Sequence, residues 1–297
     1  MKKKQFIGVC LLALLTITGC AQDSKETAGS KETNETTITS TIDTEVDSGA
    51  SVAADGDVTT SASVVPETLV QPYTPTGFTK EEGKKRALFV IGDPRKYSVN
   101  YDLAYTAMKH FEDQGVEVEV RDLYDLNFNP VLSEETFYHA KDGEGEAPED
   151  VAIEQAFIEQ ADHIVFVYPN WHDTPNAIVK GYMERVFSKQ FAYKDSSDGL
   201  EGLLKEKSIY TIMNCGFLGG GRGFIGDGVG MNDELWDEYM NAFNVFDEDT
   251  AGFWGVTSKG RFVNDRTPKN NSENYESELN QLRTDLKTHL DKDFFTK

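Results

Sequence analysis

Three short stretches hold residue types and spacings suited to chemistry, and each follows an apolar run. The first is Gly92-Asp93-Pro94-Arg95-Lys96-Tyr97-Ser98-Val99-Asn100. A hydroxyl and an amide at a helix start, with backbone donors and the positive dipole end, suit a phosphate monoester. Ser98 equally suits a plain helix cap. The stretch lacks G-x-G-x-x-G and G-K-[ST], so it is neither a dinucleotide fingerprint nor a nucleotide-hydrolysing P-loop. The second is Tyr168-Pro169-Asn170-Trp171-His172-Asp173-Thr174-Pro175. A bulky indole on a loop needs something flat to cover or to be covered by, which points to a planar ligand or to packing within the domain. The third, Asn214-Cys215-Gly216-Phe217, combines a thiol with a glycine that lets backbone approach a ligand closely. No histidine is placed by sequence to activate Cys215, which therefore reads as a small hydrophobe rather than a nucleophile. Beyond it, the glycine-rich run Gly219 to Gly226 carries Arg222, a candidate contact for an anionic group.

The elements that position these stretches follow from periodicity. Arg86 to Ile91 is an apolar run of strand length, and Ser98 to Gln114 is helical, with Leu103, Ala107 and Phe111 on one stripe and Gly115 as its stop. Val116 to Arg121 alternates as a strand, then a long loop carries Pro130, Gly143, Gly145 and Pro148 to a helix from about Asp150 to Gln160. His163 to Tyr168 is a buried strand, Pro169 to Pro175 a loop, and Ala177 to Ser188 a helix. Lys207 to Met213 is the next strand, Asn232 to Asn244 a helix, Ala251 to Thr257 a fifth strand, and Tyr275 to Leu290 a closing amphipathic helix. Strands alternating with helical stripes predict one doubly wound α/β domain with a parallel sheet covered on both faces. Such a sheet binds ligands beyond the carboxyl ends of its strands. Those ends are the three stretches above.

The N-terminus belongs to another kind of segment. Lys2, Lys3 and Lys4 precede the mostly apolar Phe6 to Ile17, which is too short to span a bilayer core of roughly 30 Å. Ile17-Thr18-Gly19-Cys20 resembles the bacterial lipobox, which implies cleavage after residue 19 and a diacylglycerol group on Cys20. Residues 20 to 80, rich in Ser, Thr, Asp and Glu, read as a disordered tether, and 81 to 297 as the folded domain on the outer face of the cytoplasmic membrane. Cys10 leaves with the signal and Cys20 carries lipid, so Cys215 has no disulfide partner and no zinc motif exists. Across 297 residues the formal net charge is −22, with no basic block after residue 4. That excludes nucleic acid as a partner and makes the membrane link depend on the lipid.

From Arg86 to about Phe191, and more loosely to Thr257, the chain resembles the flavodoxin-like NAD(P)H-dependent quinone reductases, including the modulator of drug activity B type and the ancillary proteins of glutathione-gated potassium efflux. Pro94 with Ser98 and Asn100 matches that family's H-P-x-x-x-S-x-N loop. Val116 to Tyr124, running on to Asn129-Pro-Val-Leu132, matches its second strand. Ala161 to Trp171, Ala177 to Phe187 and Phe191-Ala-Tyr193 match most specifically. The resemblance implies a five-stranded sheet of order 2-1-3-4-5, FMN (or FAD) at the strand ends, NAD(P)H as donor, a small-molecule electron acceptor and a homodimer. It assigns Pro94, Ser98, Val99 and Asn100 to the flavin phosphate. Pro169, Asn170, Trp171 and His172 would border the isoalloxazine, and Asn214, Cys215, Gly216 and Phe217 would line its other edge. His172 and Arg222 are its candidate catalytic contacts.

The chain departs from that pattern at several places. Asp93 replaces a histidine beside the expected phosphate, His172 replaces an aromatic residue, Pro175 comes one residue early with Asn176 behind it, and Asn-Cys-Gly-Phe stands where Thr-Thr-Gly-Gly is usual. Three functions are consistent with these residues: an exported flavin reductase, an FMN electron-transfer lipoprotein without nicotinamide specificity, and a surface binding protein that kept the fold without the flavin.

Overall fold

Alternate residues of the first strand supply two cores at once. In β1 (Arg86–Ile91), Ala87, Phe89 and Ile91 face one layer while Leu88 and Val90 face the other, and all five are buried. A strand buried on both faces is the signature of a central strand in a covered parallel sheet. The computed structural model describes residues 65–79, 81–215, 233–265, 267–268 and 272–296, all within the unit formed by residues 58–297. After β1 come α1 (Val99–Asp113), β2 (Glu117–Asp122), α2 (Glu134–Asp142), α3 (Glu149–Gln160) and β3 (His163–Trp171). The chain continues through β4 (Thr174–Pro175), α4 (Ala177–Val186), β5 (Tyr193–Ser196), β6 (Gly199–Gly202) and β7 (Ser208–Asn214). The last elements are α5 (Asp233–Asn241), a π-helical turn (Val245–Thr250), α6 (Ala251–Trp254), β8 (Thr257–Asn264) and α7 (Tyr275–Leu290).

The main sheet runs β2-β1-β3-β7-β8, all parallel, which is the expected order 2-1-3-4-5. Helices α1 and α7 cover one face, with Leu279, Leu282, Leu286 and Leu290 of α7 on the core cluster of Phe89 and Phe111. Helices α3 and α4 cover the other, through Ile158, Val179, Tyr182 and Val186.

Four expectations are corrected. The expected loop after β2 contains α2, which Ser133 caps through its hydroxyl and Gly143 stops in the left-handed region. Only Ala140 of α2 is buried, so no apolar stripe marked it in the sequence. The fifth strand is β8, not Ala251 to Thr257. Residues 251–254 are helical, Gly255 ends them at φ 78°, and the strand that follows is a polar edge strand with one sheet neighbour. A two-stranded hairpin, β5–β6, follows α4 where no strands were expected. The tether boundary at residue 80 falls late, because residues 65–79 pack along the domain. Val65 is buried, Leu69, Val70 and Tyr73 lie on the core, the Tyr73 hydroxyl donates to Glu112, and Gly77 N donates to Val118 O at 3.0 Å.

One half-buried group makes this packing sensitive to acid. The His163 ring hydrogen-bonds Ser208 Oγ at 2.7 Å and lies edge-on to Phe294, and burial lowers its pKa from 6.5 to about 4. The folded state thus resists protonation that the unfolded chain accepts. Stability from this group is complete above pH about 6.5 and falls as pH drops toward about 4. His163→Gln is expected to flatten the acid limb of a stability-versus-pH curve measured by urea melts across that window. An unchanged limb would assign the acid sensitivity elsewhere.

Candidate active site at the strand ends

Strand order reverses between β1 and β3, which places the crevice of a doubly wound sheet beyond their carboxyl ends. Gly92 closes the end of β1. Its N–H donates to Val167 O at 2.9 Å, its carbonyl accepts the Asn176 amide at 2.5 Å, and a Cβ there would stand 2.1 Å from Val179 Cγ2. Glycine is what lets α4 reach the sheet here.

In the first loop, Ser98 Oγ accepts from Tyr101 N at 3.4 Å and is 1% exposed, so the hydroxyl serves as the cap of α1. Asn100 is fully buried and donates its amide to Asp93 Oδ2 at 2.8 Å. Neither side chain is free to meet a phosphate without rearranging; the N–H groups of the first helical turn, around Val99, have no partner within the helix. Asp93 itself is fully buried. Arg95 pairs with it through Nε to Oδ1 and Nη2 to Oδ2, both at 3.0 Å, and through its backbone N at 2.9 Å. Burial pushes the Asp93 carboxyl up, but the hydrogen bonds from Arg95 and Asn100 and the Arg95 charge outweigh it and hold it below its ordinary value. The carboxylate therefore stays ionised, and its charge is balanced by Arg95 rather than directed at a ligand. Pro94 is exposed on the same loop.

The second loop is shorter than expected. Strand β3 continues through buried Pro169 to Trp171, turns at His172 and Asp173, and returns as β4, with Asn170 opposite Pro175 and Trp171 opposite Thr174. His172 at φ 54° and Asp173 at φ 59° both lie in the left-handed region, which a two-residue type I′ hairpin requires. This turn lifts Trp171 and His172 to the rim, where Trp171 is 42% exposed and lies under the Arg95 guanidinium, 5.6 Å from the ring centroid. The flat group covering the indole is Arg95.

At the third strand end, Asn170 Nδ2 donates to Cys215 Sγ at 3.6 Å and to Tyr239 Oη at 3.2 Å, and the Tyr239 hydroxyl donates to Asp173. Burial pushes the Cys215 thiol up to about 12, with Asp265 and Asp173 adding to it, so it is protonated at neutral pH and no nucleophile. Asn214 is buried at the end of β7, next to Pro169 in the register. Gly216, Phe217 and Arg222 lie outside the described residues, as does Cys20. The structure thus brings together Asn100, Pro169, Asn170, Trp171, Asn214 and Cys215. It adds Arg95, Asp173, Asn176 and Tyr239, which sequence reasoning did not select. Asn176 was visible as the residue before a helix; Tyr239, far along the chain, had no local signal.

Three buried amide oxygens at these strand ends, Asn100 Oδ1, Asn170 Oδ1 and Asn176 Oδ1, have no hydrogen-bond partner among the described residues. Each such acceptor costs roughly 1–3 kcal/mol, which a ligand rich in donors would relieve. The hydroxyls and ring N–H of a flavin are donors of that kind, its phosphate suits the start of α1 and the Arg95 cation, and its rings suit the Trp171 rim, so the residues present fit the group. Beside the hairpin opens a cavity of about 750 Å³ walled by Met183, Phe187, Tyr193, Phe246, Phe253 and Trp254. Among the described residues no cluster of His, Cys, Asp and Glu is placed to hold a metal ion, and no helix is long and apolar enough to cross a membrane.

A five-stranded parallel sheet of this order, with its candidate site at the switch point, defines a doubly wound α/β protein. The chain belongs to the flavodoxin-like fold family, whose model matches residues 85–286. It is 46% identical over 105 residues to a Haemophilus influenzae protein named as an uncharacterised NAD(P)H oxidoreductase, covering 35% of this chain and 51% of that one. It is 31% identical over 168 residues to rat NAD(P)H dehydrogenase [quinone] 1, covering 51% and 61% respectively. The matches thus span between half and about three fifths of these relatives' lengths. A solved putative quinone reductase from Klebsiella pneumoniae superposes with a TM-score of 0.56 at 21% identity, over 72% of this chain and 86% of that one, and shares the fold.

Proposed function

We propose that this protein is a flavin-dependent oxidoreductase of the NAD(P)H:quinone type, held outside the cytoplasmic membrane by lipid on Cys20. The observation that carries it is the trio of amide oxygens on Asn100, Asn170 and Asn176 that have no partner among the described residues, gathered where a doubly wound sheet binds its ligand. The relatives named as an NAD(P)H oxidoreductase and an NAD(P)H dehydrogenase [quinone] support the same reading. Held here, a flavin would supply hydride transfer from a nicotinamide to a quinone or similar small acceptor. The chain's part is placement. The backbone N–H groups of Val99 and Asn100 would hold the phosphate end, Asn170 and Asn176 would accept hydrogen bonds, Trp171 would border the ring, and the aromatic cavity beside the hairpin would receive an apolar acceptor.

The test is the visible spectrum of the protein after incubation with FMN or FAD and gel filtration, followed by anaerobic NADH and NADPH. Retained flavin absorbance that bleaches with nicotinamide and returns on quinone is the expected result. Flavin that is retained but ignores nicotinamide marks an electron carrier. A colourless protein leaves the flavin-free binding role, which one specific observation favours: Ser98 and Asn100 are already bonded within the protein.

Attachment is tested separately. Cys20→Ser is expected to move the protein from the membrane pellet to the soluble fraction of its host, and a pellet fraction equal to that of the unaltered chain would sink the lipid anchor.

A further inference from the structure

We propose that Arg95 is the side chain that recognises the phosphate group of the bound cofactor, with Asp93 as its positioning residue. This assignment rests on the flavin reading above and goes beyond it by naming a residue at a variable position of the expected phosphate motif. Its first support is place. The Arg95 guanidinium spans the gap between the ends of β1 and β3, bonded to Asp93 on one side and lying over the Trp171 ring on the other. That gap is where strand order reverses.

The second support is the donors left over. Pairing with Asp93 uses Nε and Nη2, so Nη1 keeps its donors without a partner among the described residues. Asp93 is fully buried while the Arg95 side chain is 30% exposed, so this ion pair presents its positive end outward. The carboxylate is saturated by Arg95 and Asn100 and has no oxygen to turn against an anion.

The third support comes from the neighbouring cation. Lys96 is committed to Asp122 at 2.5 Å, Asp125 at 2.6 Å and the Tyr101 hydroxyl at 2.9 Å. Among the described residues of the first loop, Arg95 is thus the cation with a donor to spare, beside the start of a 15-residue helix. A guanidinium held on both flanks is a preorganised fork for phosphate oxygens. Asp93, which looks unsuited to a phosphate loop in the sequence, becomes the group that orients the fork.

FMN and riboflavin differ only in the terminal phosphate, so their affinities isolate this contact. Titrations of the full chain, read by flavin fluorescence, are expected to show tighter FMN than riboflavin binding. Arg95→Gln should weaken FMN by about 10- to 100-fold and leave riboflavin within about threefold. Arg95→Lys should recover part of the preference. Because R95Q leaves a buried carboxylate without its cation, the double variant D93N/R95Q removes that charge as well, and it should also bind FMN and riboflavin about alike. If R95Q and the double variant keep the FMN preference, or weaken both flavins equally, the assignment of Arg95 is overturned while the flavin reading stands. If the unaltered protein binds neither flavin, both fall.

Discussion

Arg283→Ala is expected to destabilise the folded domain by about 3–5 kcal/mol at neutral pH, a fall in melting temperature of roughly 6–20 °C for a domain of this size. Arg283 on α7 is 8% exposed and Asp102 on α1 is 3% exposed. They pair through Nε to Oδ2 at 2.9 Å and Nη2 to Oδ1 at 2.5 Å, and Nη2 also donates to Leu69 O at 2.9 Å. One guanidinium therefore joins two helices and the strap before β1. Its removal leaves a carboxylate buried without a counter-charge, which costs more than the net worth of the pair.

The sign of the pH dependence follows from the same groups. Burial raises the Asp102 pKa above its ordinary value, and Arg283 opposes that rise. Without Arg283 the folded-state value climbs further, so the folded state binds a proton that the unfolded chain does not. The loss is then greatest above the raised value and is recovered in part as pH falls through it. Thermal melts of Arg283→Ala from neutral to acidic pH check both points. The double variant D102L/R283L, which buries no lone charge, should be more stable than R283A; a double variant as unstable as the single would show that packing and the Leu69 contact, not the stranded charge, set the loss.

Gly92→Ala should cost about 1–3 kcal/mol and should also disrupt the crevice. The added methyl would meet Val179 Cγ2 at 2.1 Å and Ile178 Cγ2 at 3.3 Å. Val179 is buried on a helix, where a β-branched side chain has essentially one rotamer, so the contact is relieved by moving α4. That motion carries Asn176 away from Gly92 O and changes the wall of the proposed flavin site. Flavin retention should therefore fall more steeply than stability. Val179→Ala in the same chain opens the needed space and should restore much of both, a coupling that a double-mutant cycle reads directly. Simple additivity of the two substitutions would mean that Gly92 is required for something other than the approach of α4.

Much of the architecture was legible because hydrophobic periodicity is a local property. The runs of β1, β3 and β7 are apolar because they are buried on both faces, and α7 was delimited to the residue by its repeating leucines. Strand β8 was not, since an edge strand with a single neighbour needs few apolar residues, and Thr257 to Asn264 has few. Helix α2 escaped because it buries one side chain, although its Ser133 cap and Gly143 stop were both present. The turn at His172 and Asp173 lacks glycine and asparagine, the strongest marks of positive φ, and His and Asp adopt it too seldom to announce the turn by themselves.

By itself, the sequence determined that strands and helices alternate, that the sheet is parallel and covered, and that three loops at the strand ends hold the polar and aromatic residues suited to a ligand. These follow from patterns a few residues long. Only the tertiary structure decided how those residues are used. Asn100 meets Asp93, Arg95 covers Trp171, Tyr239 joins Asn170 to Asp173, and Arg283 reaches Asp102 across a separation of 181 residues. Such pairings depend on how far-apart segments close over the sheet, and directional contacts between them leave no periodic trace in the chain.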